Sequence, residues 1–316
     1  MTEKPASKTS LYVASGRALG ARDPDPAVRN PDFLAERLLG PEERALIPEQ
    51  AAAQALDMDY AEAMKNPEAT GTAMMMQIRT RFIEEKLAGT IHDGASQLVI
   101  LGAGFDTRAY RLTELLKHAL IFEVDHPSTQ RFKMKRIRDA GIEIPANLTY
   151  VPIDFRHDDL GHALGETGYD SSRVTFFIWE GVTMYLTEDA VAETLTWIAA
   201  QATGSVLVFD FVYRSVLEFL KSANIDRLPE DVQRAVNRIR KLEVGEPWLF
   251  GIPNGEEKEF LARFGLTLVN LLPLGSEEAI KRYLTRSDGS FYVPGVPVTA
   301  IGGRANPSYC LIEARV

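Results

Sequence analysis

Cysteine is almost absent from this chain: Cys310 is the only one in 316 residues. That excludes an intramolecular disulfide and a cysteine-built zinc site, fits a reducing compartment, and leaves Cys310 to read as a buried structural thiol. Long hydrophobic runs are missing too. No stretch approaches the roughly 20 apolar residues of a bilayer span, and the opening MTEKPASKTS lacks the apolar core of a signal peptide. A soluble cytoplasmic protein with no membrane partner is the expectation. Basic charge is in deficit: 35 Lys and Arg against 44 Asp and Glu leave a net charge of −9. A nucleic-acid partner would need a basic footprint, so none is expected. The Met74, Met75, Met76 run has no His or Cys beside it and reads as core filler, so no metal site is expected.

What is present is enough apolar sequence, 45% of the residues, to bury a full core. Residues 1 to about 10 are polar and read as frayed. From Leu11 to Gly89 the pattern is helical, punctuated by prolines and without strand alternation. Residues 1–90 are therefore expected to form an N-terminal helical cap. Beyond Gln97, apolar runs alternate with helical stretches at βαβ spacing: 98–101, 119–124, 148–153, 174–178 and 205–211, then 267–272 and 308–314. Helices are expected at 128–140 and 188–202. The fold class is thus α/β, a doubly wound, mostly parallel seven-stranded sheet over residues 91–316. A charged helical stretch from Tyr213 to Trp248 reads as a lid insertion, bounded at 213–256. A Gly/Pro-rich loop runs up to Asn306.

The chain organises around LVILGAGFDTRAYRL, Leu98 to Leu112. A short apolar strand runs into Gly102 and Gly104, which permit a sharp turn and close approach of a ligand, and then into a helix start whose free amides favour polar or anionic groups. Open α/β sheets bind ligands beyond the carboxyl ends of their strands. Standing at those ends are Asp106 and Arg108, then Asp125, then Asp154, then Trp179, Glu180 and Gly181 with Tyr185 nearby, then Asp210 and Tyr213. A dinucleotide fingerprint would place a third glycine where Thr107 stands, and no GKS or GKT follows, so a Walker A loop is excluded. Acidic, aromatic walls suit a sulfonium cofactor without phosphate, S-adenosylmethionine, better than a pyrophosphate.

LGAGFDTRAYRL, FEVDHP, VPIDF and FIWEGVTMYL, in that order and preceded by RALGARDPDPAVRNPDFLAERLL, resemble the leucine carboxyl methyltransferase-like family of class I methyltransferases. The likeness covers Leu11 to Phe211 and loosens after Tyr213. It implies S-adenosylmethionine as cofactor, with Arg79 gripping its methionine carboxylate and Gly102 and Gly104 lying against it. Asp125 would accept the ribose hydroxyls, Asp154 and Phe155 would read and cover the adenine, and Glu180 would meet the methionyl amine, with Trp179 on the same wall. Tyr185, the one catalytic candidate, either faces the methyl group or packs. Asp106 and Arg108 either pair with each other or touch the ligand.

The resemblance implies methyl transfer to a small molecule, a carboxylic acid or a hydroxylated acceptor. A carboxylate is ionised at neutral pH and needs no general base, which agrees with five scattered histidines and no His–acid dyad. It needs a cation to orient it, for which Arg17, Arg214 and Arg282 are candidates. A hydroxyl would need a base, from Tyr185, His126 or Glu180. A nicotinamide-dependent dehydrogenase and a non-catalytic cofactor-binding protein are the rival readings. The acceptor pocket is expected from the N-terminal helices, the 213–248 stretch and the 275–306 loop.

Overall fold

Strands form here because each apolar run is buried on both faces. In β1 (Gln97–Leu101) every residue is buried, as in β4 (Thr175–Trp179) and β5 (Val206–Val212), the signature of a sheet sandwiched between layers. The computed structural model describes residues 7–48, 50–155, 157–230, 232–233, 236–237, 240, 246–293 and 309–316. Together with β2 (Leu120–Asp125), β3 (Leu148–Pro152), β6 (Thr267–Pro273) and β7 (Tyr309–Arg315), these strands make one sheet in the order β3-β2-β1-β4-β5-β7-β6. The first five run parallel, with Leu98 level with Ile121 on one side and Phe176 on the other. β7 inserts antiparallel between β5 and β6. Strand order reverses between β1 and β4, so a crevice opens at their carboxyl ends.

Side-chain alternation divides the core. One face carries Leu98, Ile100, Ile121, Phe176 and Ile178; it packs against α1 (Lys8–Gly20) and α5 (Pro67–His92), the latter reached through short helices α2 (Pro41–Leu46), α3 (Gln50–Ala55) and α4 (Tyr60–Ala63). The other carries Val99, Leu101, Phe122, Val124, Phe177, Trp179 and Phe209. Trp179 is fully buried there against Phe209, with ring centroids 6.3 Å apart. The expectation that it lines a ligand wall beside Glu180 is overturned by the pleat: neighbours in a strand point to opposite faces. Cys310 is buried in β7, and burial pushes its thiol up to about 12. Met76 is buried in α5, with Met74 and Met75 packed on the same core.

Residues 8–10, expected to fray, instead form the first turn of α1, because the Ser7 hydroxyl caps the Ser10 amide. Helix α5 starts where Asn66 accepts from the amides of Glu68 and Ala69 ahead of Pro67. Its 26 residues carry the chain to β1. Of the 213–256 stretch, α11 (Arg214–Ser222) is helical, while its returning end is extended and bridges Ile252 to Tyr213. Residues 231, 234, 235, 238, 239 and 241–245 of that stretch, and 294–306 of the expected loop, lie outside the described residues. Among the described residues no helix is long and apolar enough to cross a membrane.

Candidate active site

The turn after β1 is set by glycine. Gly102 has φ +68° and Gly104 φ +45°, the left-handed region that side chains disfavour. A Cβ on Gly102 would also stand 2.3 Å from the Val182 side chain. The amides of Gly102 and Ala103 donate to the Val124 carbonyl at 2.8 and 3.1 Å, and Gly104 donates to Asp125 at 2.5 Å. Thr107, at the place of a third fingerprint glycine, is buried and donates to Asp32 at 2.5 Å, locking the turn to the N-terminal layer. Beside this turn lies a cavity of about 410 Å³ at the carboxyl ends of β1 to β4.

Glu180 follows β4 directly and gathers three guanidiniums. Arg17 of α1 reaches it at 2.6 Å, Arg79 of α5 at 3.0 Å, and Arg108 of α6 (Arg108–Arg111) at 2.8 Å. Burial alone would raise its pKa, but these cations hold the carboxyl well below its usual range. Arg108 also pairs with Asp106, so those two form an internal ion pair, with Asp106 still reaching the cavity wall. Behind Arg79 stands Asp210 of β5, 3.1 Å from its Nε. Asp210 also accepts from the Gly181 amide at 2.7 Å and the Tyr309 hydroxyl at 2.8 Å. Strand β7 therefore supports the site from behind, a role that its sequence alone did not signal.

At the far end, Asp125 closes β2 and accepts from Gly104 and, at 2.6 Å, from His126. Burial raises its pKa against the pull of those two amides. His126 caps α8 (Pro127–Asp139), its Nδ1 accepting from the Ser128 amide, with Nε2 3.8 Å from Asp154. Asp154 and Phe155 line the cavity after β3, Phe155 backed by the second core. Tyr185 ends a 3-10 turn, Thr183–Tyr185; burial raises its pKa. It too lines the cavity.

The cavity thus brings together Arg79, Gly102, Gly104, Asp125, Asp154, Phe155, Glu180 and Tyr185 of the candidates named from the motifs, and leaves Trp179 and Arg108 outside its lining. It does not gather all three candidate acceptor cations. Arg214 pairs with Glu188 at 2.9 Å, and Arg282 with Glu85 at 2.7 Å and Glu278 at 3.0 Å; both lie outside the cavity. Arg17 does line it, engaged with Glu180 rather than open to a substrate. Sequence reasoning missed Thr9, Ser10 and Val13 of α1 and Glu246, Pro247 and Leu249 of the returning chain. The SGRAL segment was visible as helix, but nothing in one sequence says which helix faces a strand end.

The residues suit a zwitterionic, adenosine-bearing ligand. The glycine turn leaves room where a Cβ would collide. Arginines and carboxylates meet at one end, and Phe155 with an acid stands at the other. The Arg17 Nε, buried among these groups, has no hydrogen-bond acceptor among the described residues.

A family model described as leucine carboxyl methyltransferase matches residues 10–199. A Bacillus subtilis protein named as a candidate S-adenosyl-L-methionine-dependent methyltransferase, YktD, is 32% identical over 222 residues, 67% of this chain and 72% of that protein. A candidate S-adenosyl-L-methionine-dependent methyltransferase from Mycolicibacterium gilvum is 32% identical over 65% of each chain. In structure, a candidate methyltransferase from Thermobifida fusca superposes with a TM-score of 0.53 at 17% identity, over 99% of this chain and 96% of that one. A DUF574 family protein from Streptomyces avermitilis gives 0.52 at 15% identity, over 99% and 98%.

Proposed function

Because this chain belongs to the leucine carboxyl methyltransferase family, we propose that it is an O-methyltransferase whose acceptor is a carboxylate on a small molecule. It is an S-adenosylmethionine-dependent methyltransferase; the bound cofactor supplies an activated sulfonium methyl group. In our reading Arg79 and Arg17 hold the cofactor's carboxylate and Glu180 its amine. Asp125 takes the ribose hydroxyls and Asp154 with Phe155 the adenine. Arg17 thereby moves from the acceptor to the cofactor. The protein's own contribution is alignment and a site from which water is excluded.

The observation that carries the carboxylate reading is how the possible bases are engaged. Glu180 is held ionised by three arginines, far too weak a base to take a hydroxyl proton. Tyr185 is pushed up by burial, so its hydroxyl stays protonated. The His126 ring spends Nδ1 on capping α8. A carboxylate acceptor needs none of them. Glu246, which lines the cavity with its carboxylate on the Thr9 hydroxyl, is the group that a hydroxyl-acceptor reading would enlist.

Labelled cofactor incubated with aromatic, fatty and polyketide acids should give base-labile esters that release labelled methanol on alkaline treatment. A base-stable methylated product instead assigns ether or amine formation and overturns the carboxylate reading. A protein that binds no S-adenosylmethionine by calorimetry but does bind a nicotinamide cofactor overturns the methyltransferase reading as well.

A further inference from the structure

The charge around the cavity is lopsided. Asp106, Asp125, Asp154, Glu180 and Glu246 line it against Arg17 and Arg79. Most of these acids have neighbours that answer them: Asp106 and Glu180 arginine, Asp125 two backbone amides, and Asp154 the His126 ring at 3.8 Å. Glu246 is different. It accepts from the Thr9 hydroxyl at 2.5 Å, and no cation among the described residues pairs with it.

Glu246 is also held in place. The amides of Leu249 and Phe250 both donate to the Met184 carbonyl, at 2.6 and 3.2 Å, pinning the returning chain beside the Tyr185 turn. Thr9 bridges it from α1 on the other side. Around it Val13, Pro247 and Leu249 line the cavity, with Leu249 about half exposed, so an apolar rim surrounds one carboxylate that lacks a counter-charge among the described residues. Thr9 precedes Ser10, whose side chain abuts Gly104 of the β1 turn, so Glu246 borders the groups assigned to the cofactor. A buried or half-buried carboxylate next to an apolar rim attracts a cationic donor, because a charge-assisted hydrogen bond there is stronger than one in open water.

Resting on the methyl-transfer reading, we propose that Glu246 is a specificity residue: it binds an ammonium group of the acceptor, displacing the Thr9 hydroxyl, so that the preferred substrate is an apolar-bodied acid that also bears a cationic amine. The carboxylate of such a substrate is turned toward the methyl-donor side and its amine toward the strap that carries Glu246.

The test uses chain-matched probes: 6-aminohexanoate, hexanoate and adipate, titrated by calorimetry into the protein loaded with S-adenosylhomocysteine, and then, in separate samples supplied with labelled S-adenosylmethionine as methyl donor, assayed for ester formation. 6-Aminohexanoate should bind on the order of tenfold more tightly than hexanoate, with adipate weakest. In Glu246→Gln that order should collapse to less than twofold, while thermal melting checks that the variant is folded. Thr9→Val, which removes the competing donor and leaves the carboxylate, should sharpen the preference. Equal binding of the three probes, no binding of any, or a preference that survives Glu246→Gln overturns the inference. A Glu246→Gln variant that loses turnover on every probe alike, with binding order intact, makes Glu246 a base and likewise overturns it. Failure to bind S-adenosylhomocysteine strikes the parent reading instead. An ammonium preference in binding without any ester product supports Glu246 as the ammonium site and overturns the assignment of an acid as the substrate.

Discussion

At the scale of residues, Glu180 decides most. One carboxylate compensates Arg17, Arg79 and Arg108, all buried. Removing one partner of a buried ionic group costs about 3–5 kcal/mol, here because three buried arginines are left to Asp32, Asp106, Asp210 and Glu84 with the central carboxylate gone. Its folded pKa lies well below the ordinary 4.5. A depressed acid stabilises the fold above its unfolded pKa, and that contribution is lost as pH falls through the folded value. The melting temperature of the native protein should therefore drop steeply below about pH 4.5, whereas Glu180→Gln should melt lower at neutral pH and lose less on acidification. Calorimetric scans of both from pH 7 to pH 3 check this; parallel curves would contradict it. Asp125 and Glu180 were legible in the sequence because each stands at the end of an apolar run. The engagement of Arg17 with Glu180 was not, since the two are 163 residues apart and only packing of α1 joins them.

At the scale of elements, the β1 turn is the most constrained piece. Gly102→Ala faces a left-handed backbone costing about 1–2 kcal/mol and a collision with Val182 besides. Cofactor affinity should fall on the order of a hundredfold by calorimetry. Adding Val182→Ala should recover part of that loss and not all, because the backbone term stays; full recovery would assign the whole effect to crowding. The strands were readable to within a residue or two, since each is a continuous apolar run. Their mutual order was not. Nothing in Tyr309–Arg315 distinguishes an antiparallel central strand from a parallel one, because both are buried on two faces. The face of Trp179 was also misread: a run in which every residue is apolar hides which side each one takes.

At the scale of the whole molecule, the N-terminal helices and the sheet share one core. Leu11, Ala14 and Ala18 of α1 and Phe82 and Ile83 of α5 are buried in the same cluster as Leu98, Ile121 and Phe176. Unfolding in urea should therefore be one transition. The three tryptophans all lie beyond residue 170, while α1 to α5 contribute to far-ultraviolet circular dichroism. The fluorescence and dichroism curves should coincide; a separate early dichroism step would make residues 1–90 an independent unit. The net charge of −9 agrees in sign with a cavity whose acids outnumber its bases.

Strand β7 also sets a timetable. It leaves the ribosome after every other strand of the sheet, yet it lies between β5 and β6 and is the partner through which β6 joins. Until it arrives, β5 offers an open edge, and Asp210 lacks the Tyr309 hydroxyl beside Arg79. The nascent chain can thus build the glycine turn and the first five strands while its ligand cavity is still without its rear support. The rear support of the cavity is completed only when β7 pairs with β5.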